Sequence, residues 1–326
     1  MVEDPQGERP NRRSHGVSRA EFREQVRAAR ADVERQVHAT RAQLDATNAR
    51  IQARAGRNLI LAIAIGLALG LVLLVSLIFI KELFMIFAVV IVGFTAFEFA
   101  QALSHAGRTL PRIPVVIAAV AVVPAAFYWD AAGQWLATLA GILLIALWRV
   151  VQGAWPGYRA PARDVLKDIG AGFLVQLYVV FLASFAVLLT TQPGGQWWTL
   201  AFISLVISAD TGAYVSGLNF GKHKMAPKIS PKKTWEGFLG AALTCLVVGV
   251  LLAIFMLGQP WWFGLIFGAV IVLTATFGDL AESLVKRDLG IKDMSSWLPG
   301  HGGFLDRLDS ILPSAAAAYA LYLIFA

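Results

Sequence analysis

The chain has 326 residues, of which 57% are hydrophobic and 15% are charged, with a formal net charge of +7 and a mean hydropathy of +0.65. A soluble protein carries about 25% charged residues, so this composition excludes one or two soluble domains and indicates an all-α polytopic membrane protein. The modest positive charge suits an anionic lipid bilayer better than a nucleic acid, and no nucleic-acid partner is expected.

Residues 1–57 differ from the rest of the chain, with 12 arginines against 8 carboxylates. The first 17 residues contain prolines and glycines and predict a disordered tail. From Ser18 to about Arg54, apolar residues recur at spacings of three, four or seven, which predicts an amphipathic, coiled-coil-like helix. This cytoplasmic arm either supports a homodimer or docks on the membrane, or it is a solvated helix with a weak stripe. It lacks the features of a signal peptide, so the first apolar run is expected to drive insertion.

A transmembrane domain is predicted for residues 58–326. Its apolar runs approach the ~20 residues that a helix needs to cross a bilayer, and helices satisfy their own backbone hydrogen bonds in lipid. We therefore expect about nine transmembrane helices, at roughly 58–80, 83–103, 113–129, 131–150, 168–190, 196–212, 237–257, 261–281 and 310–325.

Basic residues are concentrated before the first predicted helix and in every second loop after it, with Lys81 as the main exception. The positive-inside rule then places the N-terminus and these loops in the cytoplasm and the C-terminus outside. The pattern predicts a multi-pass protein of the plasma membrane whose polar loops face the cytoplasm.

The segment from Ser208 to Glu236 is rich in glycine and lysine. Lysines attract phosphates, hydroxyls and amides add hydrogen bonds, and a helix that begins after Thr234 favours an anion at its N-terminus. The glycine spacing is not that of a Walker loop. Charge alone favours an ordinary basic loop, but carboxylates at helix boundaries argue for a site. The candidate substrate-binding residues are Asp210, Lys222, Lys228, Ser230, Lys232, Lys233, Thr234 and Glu236.

A second polar segment runs from Gly278 to Asp309. Asp279, Ser283 and Lys286 share one helical face, because their spacing is i, i+4 and i+7. Glycines and a proline around His301 predict a break that can fold Asp306 back towards Asp279. Converging carboxylates hold Mg²⁺ on substrate phosphates, although salt bridges between neighbouring helices explain the same residues equally well.

Three further residues carry weaker signals. Glu98 lies inside the second predicted helix, where a carboxylate is a functional hypothesis by default, but pairing with a neighbouring helix is favoured. His301 is interpreted as a residue that holds its loop or binds a phosphate, more than as an acid or base. Cys245 is expected to pack as a small apolar residue.

The segment that begins at Ser283 is similar to the signature of the phosphatidate cytidylyltransferases, also called CDP-diacylglycerol synthases. The Lys-rich segment also resembles that family's block SDTGAY, GKHK and ISPKKTWEG. The similarity covers roughly residues 60–326, and the arm lies outside it. Every fixed position of the signature is met, by Ser283, Lys286, Arg287, Lys292, Asp293, Ser295, Leu298, Pro299, His301, Gly302, Gly303, Asp306, Arg307 and Asp309.

The resemblance implies transfer of CMP from CTP to phosphatidate, giving CDP-diacylglycerol and pyrophosphate in phospholipid biosynthesis. It implies Mg²⁺, with Asp279 and Asp306 as expected metal ligands and Asp309 and Asp210 in support. A second cation is also implied, and K⁺ is one candidate. The expected catalytic residues are Asp279, Asp306, Lys286, Arg287 and Arg307, and the further substrate-binding residues are Ser283, Lys292, His301 and Asp309.

Two other functional classes stay open. A lipid kinase would use similar acidic and basic loops but would release a nucleoside diphosphate where a cytidylyltransferase releases pyrophosphate. A transporter for an anionic solute is disfavoured, because the charges cluster in loops and do not line broken helices at the middle of the membrane.

Overall fold

The computed structural model describes residues 59–295, 297 and 302–326, with side chains from residue 66 onward. The predicted arm of residues 1–57 lies outside the described residues. The described chain is helical apart from one small sheet, β1 (Lys224–Ala226) and β2 (Ser230–Thr234). The helices are α1 Leu59–Phe79, α2 Lys81–His105, α3 Arg112–Gln152, α4 Ala162–Thr191, α5 Gly195–Phe220, α6 Trp235–Phe255, α7 Trp261–Asp288, α8 Leu305–Leu308 and α9 Ile311–Phe325.

Seven helical segments in the described ranges are long and apolar enough to cross a membrane, namely α2 to α7 and the segment Leu305–Phe325 that contains α8 and α9. The part of α1 whose side chains are described, Gly66–Phe79, is apolar but shorter. Helices of this kind keep their backbone polar groups paired in lipid. The prediction of an all-α, multi-pass membrane protein is therefore confirmed at this level.

Helix α3 is broken in its middle. Trp129 and Asp130 have non-helical backbone angles, and the φ of Asp130 is +50°. A Cβ atom added to Gly141 would lie 2.9 Å from the Cβ of Ala118, whereas these positions would be about 35 Å apart along a straight helix. Helix α3 therefore doubles back on itself, and its two arms correspond to the predicted helices 113–129 and 131–150.

Helices α5 and α7 continue beyond their predicted ends, to Phe220 and Asp288. Asp210 was expected at the end of a helix, but it lies inside α5. Polar residues and glycines suggested an end there. The helix nevertheless continues to Phe220, and Gly212 packs closely on α6, where an added Cβ would meet the Thr244 hydroxyl at 2.6 Å.

Small residues also allow α6 and α7 to touch along their backbones. A Cβ atom added to Gly264 would lie 2.5 Å from the carbonyl oxygen of Gly249, and one added to Gly268 would meet the backbone of Cys245. Close van der Waals contact of this kind drives helix association in lipid. The Cys245 side chain is buried in the same core, as expected for a small apolar residue.

The Lys-rich loop contains a sheet that the sequence did not predict. Strands β1 and β2 pair antiparallel, with Lys224 opposite Thr234 and Ala226 opposite Ser230. Lysines and a proline are poor strand signals, so the sheet depends on hydrogen bonds made by side chains outside its strands. Glu236 is the main anchor, because it accepts hydrogen bonds from the backbone N–H groups of Lys222 (3.1 Å) and His223 (3.2 Å).

Hydrogen bonds between residues far apart in the sequence join helix ends at two faces of the bundle. At one face, Arg287 Nε donates to the Ile229 carbonyl (3.1 Å). At the other, Lys81 Nζ donates to the carbonyl of Gln192 (3.4 Å), and Gln259 Nε2 donates to that of Phe325 (3.2 Å). The Lys-rich hairpin and the C-terminal end therefore lie at opposite ends of α7.

Candidate active site

The hairpin of β1 and β2 leads directly into α6, and Thr234 is the N-cap of that helix. Its Oγ1 accepts a hydrogen bond from the N–H of Gly237 (3.1 Å), which satisfies one of the free donors of the first turn. Glu236 lies in the same turn and binds the backbone of the preceding loop. Both residues therefore act on the local fold, and Thr234 also lines a cavity beside it.

That cavity, called here the hairpin cavity, has a volume of about 320 Å³ and lies between the hairpin, α5 and α7. Its size falls in the usual range for small-molecule sites, about 300–1,000 Å³. It joins two sequence segments that were predicted separately. The site residues that line it are Asp210, Ser230, Lys232, Lys233, Thr234 and Asp279.

An ion pair crosses the hairpin cavity. Lys233 Nζ lies 2.7 Å from Asp279 Oδ2, and both side chains are partly exposed, at 25% and 31%. The other carboxylate oxygen of Asp279 accepts a hydrogen bond from Ser283 Oγ (3.2 Å). Ser283 therefore orients Asp279 from one turn further along α7.

A second constellation, called here the Lys286 cluster, consists of Glu282, Lys286 and Asp306. Lys286 Nζ lies 2.5 Å from Glu282 Oε2 and 2.8 Å from Asp306 Oδ1. The Glu282 side chain is fully buried, and those of Asp306 and Lys286 are 8% and 14% exposed. Charges so poorly hydrated require this pairing, because each would otherwise cost several kcal/mol to bury.

Asp306 also organises the loop before it. Its Oδ2 accepts hydrogen bonds from the backbone N–H groups of Gly303 (2.7 Å) and Met294 (3.1 Å). Both of its carboxylate oxygens are thus engaged, one by Lys286 and one by the backbone. Asp306 connects the end of α7 to the start of α8.

Asp309 lies between the two constellations. Its backbone carbonyl packs against Gly278, where a side chain would collide with it. Its carboxylate accepts a hydrogen bond from the N–H of Ser310 (2.6 Å) and lies within electrostatic range of Asp279, Asp210 and Lys286. The predicted approach of the last segment to Asp279 is therefore made through Asp309, while Asp306 contacts Lys286.

Glu98 contributes to the site from α2. Its side chain is 1% exposed, and it accepts hydrogen bonds from the Ser295 hydroxyl and from the N–H of Leu305 (2.9 Å). A side chain at position 303 would collide with this carboxylate. Sequence reasoning favoured a partner on a neighbouring helix, whereas the partners are the loop and the first residue of α8. The sequence signal for a role of Glu98 was its position inside an apolar span, where an unpaired carboxylate is energetically costly.

The remaining predicted residues lie around these groups. Arg287 ties the end of α7 to the hairpin through Ile229, and Arg307 lies in α8 within electrostatic range of Asp210. His301 lies outside the described residues. Three lysines are exposed and do not line the hairpin cavity: Lys222, Lys228 and Lys292.

The donor set is compatible with a metal shared with a substrate. Among the described residues, no group of three or more His, Cys, Asp or Glu side chains is arranged as a complete metal site. Mg²⁺ typically needs only one or two carboxylates, because water and substrate phosphates complete its octahedron. Asp210 and Asp279 line the hairpin cavity and fit this pattern.

The fold and the site define an integral membrane protein with paired acidic and basic groups at one end of its helix bundle, which suits the handling of phosphates. The family model described as the cytidylyltransferase family matches residues 60–325. The chain belongs to that family, and the resemblance predicted from its motifs is confirmed.

Curated relatives match the chain over most or part of its length. The phosphatidate cytidylyltransferase of Mycobacterium bovis is 40% identical over 273 residues, which is 82% of this chain and 89% of the relative. The enzyme of the same name from Mycobacterium leprae is 37% identical over 278 residues, covering 82% and 88%. That of Haemophilus influenzae is 43% identical over 136 residues, covering 40% and 46%.

Proposed function

We propose that this chain is a CTP:phosphatidate cytidylyltransferase, a nucleotidyltransferase that makes CDP-diacylglycerol and pyrophosphate. The family and the names of the relatives support the reaction. The structural observation that carries it is the hairpin cavity, where lysines of the hairpin face Asp210 of α5 and Asp279 of α7. This is a site for a triphosphate that meets its acceptor beside a bilayer.

In the proposed reaction, an oxygen of the phosphatidate phosphate attacks the α-phosphorus of CTP. The bond to the β-phosphate breaks and pyrophosphate leaves with the electron pair. Phosphatidate is already ionised near neutral pH, so no general base is needed. The residues of the chain therefore act by position and charge.

Lys233 is the residue best placed to respond to the nucleotide. Its amine pairs with Asp279 at 2.7 Å, next to Lys232 and the hydroxyl of Ser230. A triphosphate in the cavity competes for this amine and releases one oxygen of Asp279. Arg287 and Lys286 hold the end of α7 beside the hairpin and the last loop, residues 289–304, and so maintain the shape of the cavity during the reaction.

Mg²⁺ remains part of the proposal. It would neutralise phosphate charge and be held by Asp279 and Asp210, with Asp309 in support. Asp306 stays a predicted ligand, although it now pairs with Lys286 and the backbone. The second cation, K⁺ or another, also stays a prediction.

We also propose nine transmembrane helices in the plasma membrane, with the N-terminus and the site in the cytoplasm and the C-terminus outside. The fold of α3 into two arms and the apolar α1 add two helices to the seven candidate spans. The basic loops share one face, which the positive-inside rule assigns to the cytoplasm. A homodimer through the N-terminal arm stays a prediction.

The test is incorporation of labelled CTP into lipid by the purified full chain, with phosphatidate in mixed micelles and with or without Mg²⁺. We expect labelled lipid, an equal amount of pyrophosphate and dependence on Mg²⁺. Asp279→Asn should lower turnover by at least about 100-fold, whereas Asp288→Asn, at the exposed end of the same helix, should not. Release of a nucleoside diphosphate would instead indicate a lipid kinase.

A further inference from the structure

A second cavity lies outside the hairpin cavity and shares no lining residue with it. Its volume is about 600 Å³, and it is formed by the end of α2, the start of α3, the end of the second arm of α3 and the turn Pro156–Tyr158. We call it the arginine cavity, because Arg108 and Arg112 line it. No carboxylate is among its lining residues in the described part of the chain.

Arg108 and Arg112 are placed to bind an anion in this cavity. Both side chains are partly buried, and neither guanidinium makes a hydrogen bond or ion pair with the described residues. Ser104, Thr109 and Gln152 add polar groups to the wall. A guanidinium binds a phosphate through two parallel hydrogen bonds, so two guanidiniums in one cavity, without partners among the described residues, suit a phosphate group.

A buried ion pair fixes the loop that carries these arginines. Arg149 Nε donates to Asp168 Oδ2 (2.9 Å), and Asp168 Oδ1 accepts from the N–H of Thr109 (3.0 Å). Arg149 Nη1 donates to the carbonyl of Tyr158 (3.3 Å). Thr109 and Tyr158 both line the arginine cavity, so its wall is preorganised. The nearby carboxylate of Asp168 is neutralised by Arg149.

An apolar groove joins this cavity. It has a volume of about 360 Å³ between α2 and the first arm of α3, and its lining includes Val90, Val120 and Trp297. Phe97 lines both the groove and the arginine cavity. From Phe97 to Val90 the groove follows α2 away from the arginines, towards the middle of the span. The cavity and the groove together match the shape of a phospholipid, with room for the phosphate at the arginines and for an acyl chain along the helices.

We propose that the arginine cavity and the groove bind one anionic phospholipid, at a site separate from the site of nucleotide transfer. Charge complementarity selects the headgroup, and the apolar lining selects the chain. Trp297 connects this site to the last loop, because its ring stacks on Phe97 (5.6 Å between centroids) while neighbouring Ser295 binds Glu98. A lipid in the groove therefore contacts the segment that ends at Asp306.

The experiment is native mass spectrometry of the full chain in detergent, without CTP, titrated with dioleoylphosphatidylglycerol. We expect one bound lipid per chain and much weaker binding of dioleoylphosphatidylcholine. The double variant Arg108→Gln/Arg112→Gln should bind at least about tenfold more weakly. The control Arg159→Gln/Arg163→Gln removes the same charge from exposed positions of the next basic loop and should bind normally. Thermal unfolding midpoints equal to that of the unsubstituted protein would show that the variants are folded.

Groove variants separate a lipid from free phosphate. Val90→Phe fills the groove and should weaken phosphatidylglycerol binding, whereas Val247→Phe, the same change at an exposed position of α6 that lines neither the groove nor the arginine cavity, should not. Inorganic phosphate should compete poorly. Normal binding by the double arginine variant, or equal binding of phosphatidylcholine, would overturn the proposal. Full competition by phosphate with no effect of Val90→Phe would assign the cavity to a free anion. Since no step uses CTP, these results do not depend on the proposed reaction.

Discussion

At the scale of single residues, the site depends on how each buried charge is compensated. Lys286 supplies one amine to two carboxylates, Glu282 and Asp306, in a region with little access to water. Removing one partner of such a cluster leaves an uncompensated buried charge. The cluster is thus a structural support for the last loop as well as part of the candidate site.

Lys286→Met should destabilise the protein by about 3 kcal/mol, because Glu282 and Asp306 would then face each other without a cation. Adding Glu282→Gln should recover part of that loss, since it removes one of the two negative charges. Thermal unfolding in detergent measures both effects. Lys167→Met is the matched control, because its pair with Asp164 is exposed and such pairs contribute about 1 kcal/mol or less. Equal midpoints for Lys286→Met and Lys167→Met would contradict the role of the cluster.

Sequence spacing predicted part of this chemistry. The helical face of Asp279, Ser283 and Lys286 was read correctly from the i, i+4, i+7 rule, and Ser283 does bind Asp279. The pairing of Lys233 with Asp279 was not predicted, because the two residues lie 46 positions apart and no local rule relates them. Short-range geometry follows from the helix, whereas long-range pairing depends on how helices pack.

At the scale of elements, glycines determine how closely the helices of the second half approach. Gly264 of α7 faces the backbone of α6 at Gly249 and Val250, so even a methyl group has no room there. In lipid, where apolar surfaces gain little from leaving the solvent, this contact is a main source of helix association.

Gly264→Val should lower the thermal midpoint, because overpacking a close contact costs about 1–3 kcal/mol. Gly70→Val is the control, since no atom lies within 4 Å of a Cβ added at that position of α1. Thermal unfolding of the two purified variants in the same detergent compares them directly. A midpoint for Gly264→Val as high as that of the control would mean that α6 and α7 separate easily.

The described parts of the last loop, residues 289–295, 297 and 302–304, are held by side chains from outside the loop. Glu98 binds Ser295 and the N–H of Leu305, and Asp306 binds the N–H groups of Met294 and Gly303. These bonds hold the described parts of the loop against α2 and α8. The loop should therefore respond strongly to the loss of a single carboxylate.

Glu98→Ala should speed amide hydrogen exchange at Leu305 and Gly303, and should lower turnover, because the loop loses its anchor on α2. Hydrogen–deuterium exchange with mass spectrometry measures the first effect. Gln101→Ala, one turn later on α2, is the control and should leave the exchange of the loop unchanged. Normal protection of the loop in Glu98→Ala would show that Asp306 alone suffices to hold it.

At the scale of the whole molecule, the break in α3 decides how many times the chain crosses the bilayer. The two arms of α3 contact each other near Ala118 and Gly141, which requires a reversal at Trp129 and Asp130. With this reversal, the proposed topology places the basic loops on one face and the C-terminal end on the other. The proposed topology therefore depends on one non-helical residue pair.

Cysteine labelling in cells tests this topology. In a Cys245→Ser background, Asp130→Cys and Ala326→Cys should react with a membrane-impermeant maleimide in intact cells. Lys224→Cys should react only after permeabilisation, because the positive-inside rule places the hairpin in the cytoplasm. If Asp130→Cys stayed unlabelled even in permeabilised cells, α3 would cross the membrane as one helix, and nine spans would be wrong.

Some properties of this protein follow from its sequence alone, namely the membrane class, the positions of most helices, the family and the residue types of the candidate site. They are encoded locally, in the length of apolar runs and in short motifs. The tertiary structure alone decided which polar groups meet, since the Glu98 carboxylate accepts a hydrogen bond from the N–H of Leu305 across 207 positions. It also decided that Asp210 lies inside a helix, that lysines form a hairpin and that two arginines without partners in the described part of the chain adjoin an apolar groove. Such features depend on helix packing, which local residue patterns do not specify.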